Sequence, residues 1–169
     1  MNYRVAIATY KRHKELGNKT LSVLNNYNIS KDIIDIFVNT PEEYKLYKNE
    51  YPDYNIILGE LGMKEIRNFI FNYYNEGDKI LCMDDDIRAI KVKNTCQTYK
   101  VNGRVLEDCI DFDRYIDKGF ELCEENKTIL WSIYPTNNHG FMKWTDTTQF
   151  MLCPGWLFGV IIDKECLNL

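Results

Sequence analysis

Histidine is scarce in this chain, with two in 169 residues, and none of its six cysteines forms a C-x-x-C pair. A structural zinc site draws on four closely spaced nitrogen or sulfur ligands, so both scarcities argue against one. Neither G-x-G-x-x-G nor G-x-x-x-x-G-K-[ST] occurs, which leaves dinucleotide and P-loop readings without their usual support. There is no G-x-S-x-G and no Cys–His signature, so hydrolysis through a Ser or Cys nucleophile is not indicated. Basic charge is not in excess. The formal charge of −4 opposes tight binding through the DNA backbone, which needs clustered Lys and Arg. The one basic cluster, Lys11-Arg12-His13-Lys14, is short and reads as a solvated loop. Long hydrophobic runs are also missing. The longest, Phe150 to Ile162, contains Pro154 and two glycines and is too short to span a bilayer. Met1 to Val5 lacks the apolar core of a signal peptide. A soluble cytoplasmic protein with no membrane partner is the expectation.

What is present is apolar and aromatic. At 45% hydrophobic and 14% aromatic residues, residues 1–169 can bury one sizeable core as a single domain. Asn, Ile, Lys and Tyr are abundant, which suggests AT-rich coding in a virus or a low-GC microbe.

Short apolar runs alternate with helical stripes through the first half. Strands are expected near 3–8, 33–38, 54–58 and 79–83. Helices are expected near 15–27, 41–50 and 63–75. Thr40, Pro41 and Glu43 read as a helix start with a capping box. The apolar face of the helix after Gly62 is Ile66, Phe69, Ile70, Tyr73 and Tyr74. Lys79 to Met83 is apolar at four successive positions, as in a strand covered on both faces, and Cys82 within it reads as a core residue. The alternation predicts an α/β fold, a Rossmann-like and mostly parallel sheet flanked by helices. The second half predicts a hairpin around Asn102-Gly103, a helix with the stripe Phe112, Tyr115, Ile116, Phe120 and Cys123, and strands over 129–134 and 156–162. Asn137 to Gly140 reads as a polar loop.

Ligands of such sheets bind at the carboxyl ends of the strands. Two polar segments fall there: Thr9-Tyr10-Lys11-Arg12 and Asp84-Asp85-Asp86. Three adjacent carboxylates repel each other unless a cation sits among them. In an extended chain Asp84 and Asp86 point to one side and Asp85 away, which gives two oxygen donors for a hard divalent ion. A charged loop or a helix N-cap is the plainer alternative. Arg67, near the start of a helix, suits a diphosphate or an ion pair with Glu60 or Glu65. Tyr10 can stack on a base, and Arg12 can reach a phosphate. His139, Asp146, Trp144 and Trp156 are candidates for an acceptor side, with solvated-loop or core-packing roles as alternatives.

Taken in order, Thr9-Tyr10-Lys11-Arg12, Gly62-Met63-Lys64-Glu65-Ile66-Arg67-Asn68 and Ile80-Leu81-Cys82-Met83-Asp84-Asp85-Asp86 resemble glycosyltransferases of the A-type fold. Those enzymes carry a "G…RN" helix followed by a strand ending in an Asp-x-Asp motif. The segments GMKEIRNFI and MDDDIRAI look most like small viral and phage glycosyltransferases, the TET-associated group that decorates oxidised DNA pyrimidines. The resemblance covers residues 3–90 well and 128–162 loosely. It implies a metal-dependent transferase moving a sugar from a nucleotide-diphosphate donor to a hydroxyl acceptor, a glycan or a hydroxylated DNA base. Asp86 would bind Mn²⁺ or Mg²⁺, with Asp84 beside it on the ribose side. Thr9, Tyr10, Arg12, Arg67, Asp84 and Asp85 would form the nucleotide-sugar side, and Gly155 and Trp156 the acceptor side. A viral chain would act in the host cytoplasm. The family's catalytic carboxylate normally follows on a later helix, so the expectation is a natural minimal version, a truncated form or a fragment of a longer product, with Asp146 as a weak substitute base. A nucleotide-sugar-binding domain without catalysis and a nucleotidyltransferase are the competing readings. A haloacid-dehalogenase-type phosphatase fits less well, because its Asp-x-Asp follows the first strand.

Overall fold

A computed structural model of the chain describes residues 2–93, 106–134, 146–148, 152 and 155–167. The first strand, β1 (Arg4–Ala8), is followed by α1 (His13–Leu16), a π-helical turn (Gly17–Leu21) and α2 (Ser22–Asn26). Next come β2 (Ile34–Val38), α3 (Pro41–Glu50), β3 (Asn55–Leu58), α4 (Met63–Tyr73) and β4 (Lys79–Asp84). The second half adds β5 (Lys91–Lys93), β6 (Leu106–Asp108), α5 (Phe112–Asn126), β7 (Leu130–Ser132), β8 (Leu157–Ile161) and α6 (Lys164–Leu167).

Six strands form one sheet in the order β3-β2-β1-β4-β8-β7. The β1, β2, β3 and β4 pairings are parallel, and β8 runs antiparallel to both β4 and β7. The expected mostly parallel α/β sheet is therefore the one observed. Lys79–Asp84 lies inside it, between β1 and β8, which is why Ile80 to Met83 are apolar on both faces. β5 and β6 pair antiparallel as a separate ribbon. They flank the expected Asn102-Gly103 turn, which lies outside the described residues, as do His139 and Trp144.

Strand alternation sorts the core into two layers. Val5, Ile7, Ile34, Ile36, Val38, Leu81 and Met83 pack under Leu16, Leu24, Tyr47, Phe112, Ile116 and Phe120. On the opposite face Ala6, Phe37, Ile80, Cys82 and Phe158 pack under Ile66 and Ile70 of α4 and Tyr74 just after it. Two aromatic positions depart from the expected stripes. Tyr73 and Tyr115 are about half exposed (46% and 50%) because each sits at the flank of its helix's buried face. A tyrosine tolerates that place, having an apolar body and a polar tip.

The expected helix over 15–27 contains a π turn at its centre, and close packing accompanies it. A Cβ at Gly17 would lie 2.6 Å from the Tyr51 hydroxyl oxygen, so a larger residue there would have to displace that ring. At the far edge Trp131 lies over Gly159, where a Cβ would come within 2.0 Å of the indole nitrogen.

On the α4 face the fully buried Asp35 takes a forked contact from Arg4 (2.6 and 2.7 Å), a bond from Asn55 Nδ2 (2.6 Å) and one from the Tyr74 hydroxyl (2.7 Å). Burial pushes the Tyr74 hydroxyl far above its ordinary value, and the Asp35 charge adds to this. Burial likewise pushes Tyr27 and Tyr51 up to about 12. The folded chain thus keeps protons that the unfolded chain releases from 10.0 upward. Their contribution to stability is complete below that pH and is lost as pH rises through the folded values. The urea midpoint is expected to fall as pH rises from 10.0 through about 12, with a shallower fall in Tyr74→Phe. Equilibrium unfolding across this range, with tyrosinate absorbance as a second probe, checks the prediction.

Candidate functional site

β1 and β4 are neighbours that run the same way, so their carboxyl ends place residues 9–12 beside residues 84–86. Thr9 and Asp85 are both nearly buried, at 4% and 5% exposure. The Thr9 hydroxyl donates to Asp85 Oδ2 (2.7 Å) and lies 3.0 Å from the Tyr47 hydroxyl. Arg12 Nη1 donates to Asp85 Oδ1 (3.1 Å) and to Asp86 Oδ2 (3.2 Å). Arg67 Nη2 donates to Asp84 Oδ1 (2.9 Å), and its guanidinium lies 5.8 Å from the Phe158 ring centre. The ion pair of Arg67 is thus with Asp84, across the sheet rim, and the suggested pairs with Glu60 or Glu65 give way to it.

The sequence-based expectation for the carboxylates needs one correction. β4 stops at Asp84, and residues 85–86 form a turn. Strand alternation therefore does not extend to Asp86, and Asp85 turns inward to Thr9 and Arg12 instead of pointing away. Asp84 and Asp86 keep side chains 39% and 48% exposed. Burial pushes the Asp84 carboxyl above the usual range. Arg67 opposes this shift, and the charges of Asp86 and Asp85 reinforce it. Such a carboxylate gains when a further cation arrives.

Supporting residues come from within the expected helices 15–27 and 41–50. Thr20 is fully buried within the π turn. Its hydroxyl donates to the Asp84 carbonyl (2.7 Å) and accepts from the Ile87 N–H (3.0 Å). It pins both sides of the acidic turn. Tyr47, also fully buried, accepts from the Arg12 N–H (3.3 Å) as well as meeting Thr9. Thr40 caps α3 by accepting from the Glu43 N–H (3.3 Å), as expected. The Glu43 carboxylate, however, accepts from the Lys11 N–H (2.6 Å), so the capping box is diverted to hold the loop after β1. Lys11 has φ of 57°, which turns that loop. Tyr10 at its tip is 44% exposed, with the Lys11 ammonium 4.9 Å from the ring centre.

Replacing Thr20 by Val keeps the shape and removes both hydroxyl bonds. The Ile87 N–H is then left buried without its acceptor, and a loss of about 1–3 kcal/mol is expected. Thr20→Ser is expected to recover most of it. Urea unfolding of the two variants checks the pair.

The remaining candidates lie around the same rim or apart from it. Trp156 lends its carbonyl to the Asp84 N–H (2.8 Å), and its indole N–H donates to the Ile133 carbonyl (3.0 Å). Gly155 is exposed, with open space where a Cβ would stand. Asp146 is exposed within the short described stretch 146–148.

Among the described residues no group of three or more His, Cys, Asp or Glu side chains is placed to hold a metal ion. The donor chemistry still suits a divalent cation of the magnesium or manganese kind. Asp84 and Asp86 supply hard, half-exposed oxygens, and such ions commonly take one or two carboxylates together with substrate phosphates. No helix among the described residues is long and apolar enough to cross a membrane.

No family model matches the chain, and no curated protein matches it. Two solved structures of the glycosyltransferase GlyE from Streptococcus pneumoniae TIGR4 align with it. The apo form does so at 17% identity and a TM-score of 0.35, the second structure at 14% and 0.35. Both alignments cover 74% of this chain and 39% of the other, so the chain spans about two-fifths of the length of those structures.

Proposed function

We propose that this chain is a metal-dependent glycosyltransferase domain that takes its sugar from a nucleotide-diphosphate donor. One observation carries the reading. An inner strand of the mostly parallel sheet and the turn after it carry two half-exposed carboxylates where β1 and β4 end, and an arginine from another part of the chain reaches each. A donor of this class brings a diphosphate for the guanidiniums and accepts a divalent cation held by Asp84 and Asp86. The cation, when bound, neutralises charge that builds on the departing nucleoside diphosphate.

The chain's own residues divide the work. Arg12 and Arg67 orient the diphosphate, and Thr9 with Asp85 holds Arg12 at the rim. Tyr10 offers a ring for the base. Gly155 and Trp156 stand on the acceptor side. The acceptor is a hydroxyl, of a hydroxylated DNA base or of a glycan. A nucleotide-sugar-binding domain without catalysis is the second reading.

A thermal-shift panel of nucleoside diphosphates and nucleotide sugars, each with and without Mn²⁺, tests the proposal. A ligand that binds only the folded chain raises its melting temperature by mass action. The expected result is a Mn²⁺-dependent shift with sugar nucleotides. A shift with nucleoside triphosphates alone would move the reading to nucleotidyl transfer. Release of nucleoside diphosphate in the presence of an acceptor separates the transferase from the binding domain.

A further inference from the structure

Arg12 is held by two carboxylates of very different exposure. A single nitrogen, Nη1, serves Asp85 Oδ1 at 3.1 Å and Asp86 Oδ2 at 3.2 Å. The Asp85 side chain is 7% exposed and also fixed by Thr9, whereas those of Asp86 and Arg12 are 48% and 53% exposed. The half of the contact that faces water is therefore the weak half, because exposed ion pairs add little. The inner half keeps the guanidinium at the rim when the outer half breaks. A guanidinium and a divalent cation repel each other on one carboxylate, and a guanidinium matches the oxygens of a diphosphate as a fork.

We propose that Arg12 is a movable counter-ion of the acidic turn. It covers Asp86 against free divalent cations and releases that carboxylate only when the cation arrives together with a diphosphate, to which Arg12 then transfers. This rests on the donor-site reading above and adds a property that reading does not contain: a competition between one arginine and the metal. Metal and nucleotide then bind with positive coupling, and part of that coupling is Arg12 exchanging partners.

The consequence is a pair of effects with opposite signs. Removing the Arg12 charge uncovers Asp86, so free Mn²⁺ binds more tightly, by about threefold to tenfold. The same change removes a diphosphate contact, so Mn²⁺ with nucleotide binds about tenfold or more weakly. Asp85→Asn shifts Arg12 toward Asp86, and free Mn²⁺ should then bind more weakly than to the unaltered chain.

The test is a Mn²⁺ titration followed by the electron paramagnetic resonance signal of the free ion. It is run on the unaltered chain, Arg12→Ala, Arg12→Gln and Asp85→Asn, first with Mn²⁺ alone and then with UDP, GDP, ADP or CDP added. Circular dichroism melts confirm that each variant is folded, and Arg12→Gln preserves side-chain length if the alanine variant does not fold. Tighter Mn²⁺ alone with weaker Mn²⁺–nucleotide in the Arg12 variants is the expected outcome. Unchanged or weaker Mn²⁺ alone in those variants overturns the counter-ion role, while Mn²⁺–nucleotide binding to the unaltered chain would leave the donor-site reading standing. If none of the four nucleotides promotes Mn²⁺ binding to the unaltered chain, both fall together.

Discussion

Replacing Arg4 by Met is expected to lower stability by about 3–5 kcal/mol, the usual cost of leaving a buried charge without its partner. Asp35 is fully buried and relies on the two Arg4 contacts for its only guanidinium among the described residues. The loss is a large share of a domain stability of about 5–15 kcal/mol. The opposite deletion is expected to cost less. In Asp35→Asn the stranded group is Arg4, whose side chain is 38% exposed and can turn to water. Tyr74→Phe removes one bond to the carboxylate and is expected to cost about 1.5–3 kcal/mol. Urea unfolding at neutral pH gives the three values. An Arg4→Met loss no greater than that of Asp35→Asn would show that water reaches Asp35.

Asp86→Asn is expected to remove Mn²⁺-dependent nucleotide binding, with an affinity loss well beyond tenfold, that is, beyond about 1.4 kcal/mol. Asp84→Asn is expected to weaken it by about tenfold while leaving the fold at least as stable at neutral pH. The sign follows from the raised Asp84 carboxyl. Its folded value lies above the unfolded 3.8, so the folded state gains from the proton below that window and loses the gain as pH rises through it. At neutral pH the charged form is held at a cost that Asn removes. Asp85→Asn should behave differently again, with lower stability as its main effect, because Asp85 is tied to Thr9 and Arg12 in the interior. Calorimetric titration with Mn²⁺ and nucleoside diphosphate, beside thermal melts, separates the three. Wild-type affinity in Asp86→Asn would reduce the triad to a charged loop.

The parallel half of the sheet was legible because every β1–β4 strand is short, apolar and bounded by turn residues, and the helices between them carry regular stripes. Thr40 and Pro41 marked the start of α3 to the residue. The site was legible only as segments. Thr9–Arg12 and Asp84–Asp86 were visible at strand ends, but the partner of each carboxylate was not. Thr20 lies inside the expected helix 15–27, and its polar bonds appear only when residue 20 meets residues 84 and 87. Tyr47 lies within the expected helix 41–50 with nothing to single it out, and its hydroxyl acts across 38 positions of sequence. The inward turn of Asp85 was hidden for another reason. Alternation holds only while a strand continues, and nothing in three identical residues marks where pairing stops.

The change of direction at β8 has a consequence for what sort of molecule this scaffold can be tuned to act on. Because β8 runs opposite to β4 and β7, the chain leaves β7 and re-enters β8 on one side of the sheet, the side where β4 ends. Ser132 pairs with Phe158, Leu157 pairs with Met83, and Trp156 bonds to the Asp84 N–H. Residues 130–132 and 156–158, the described flanks of that connection, thus both lie at the end of the sheet that carries the acidic turn. On the transferase reading, exchanging the sequence between residues 134 and 155 is expected to alter acceptor preference while leaving Arg12, Arg67, Asp84 and Asp86 in place.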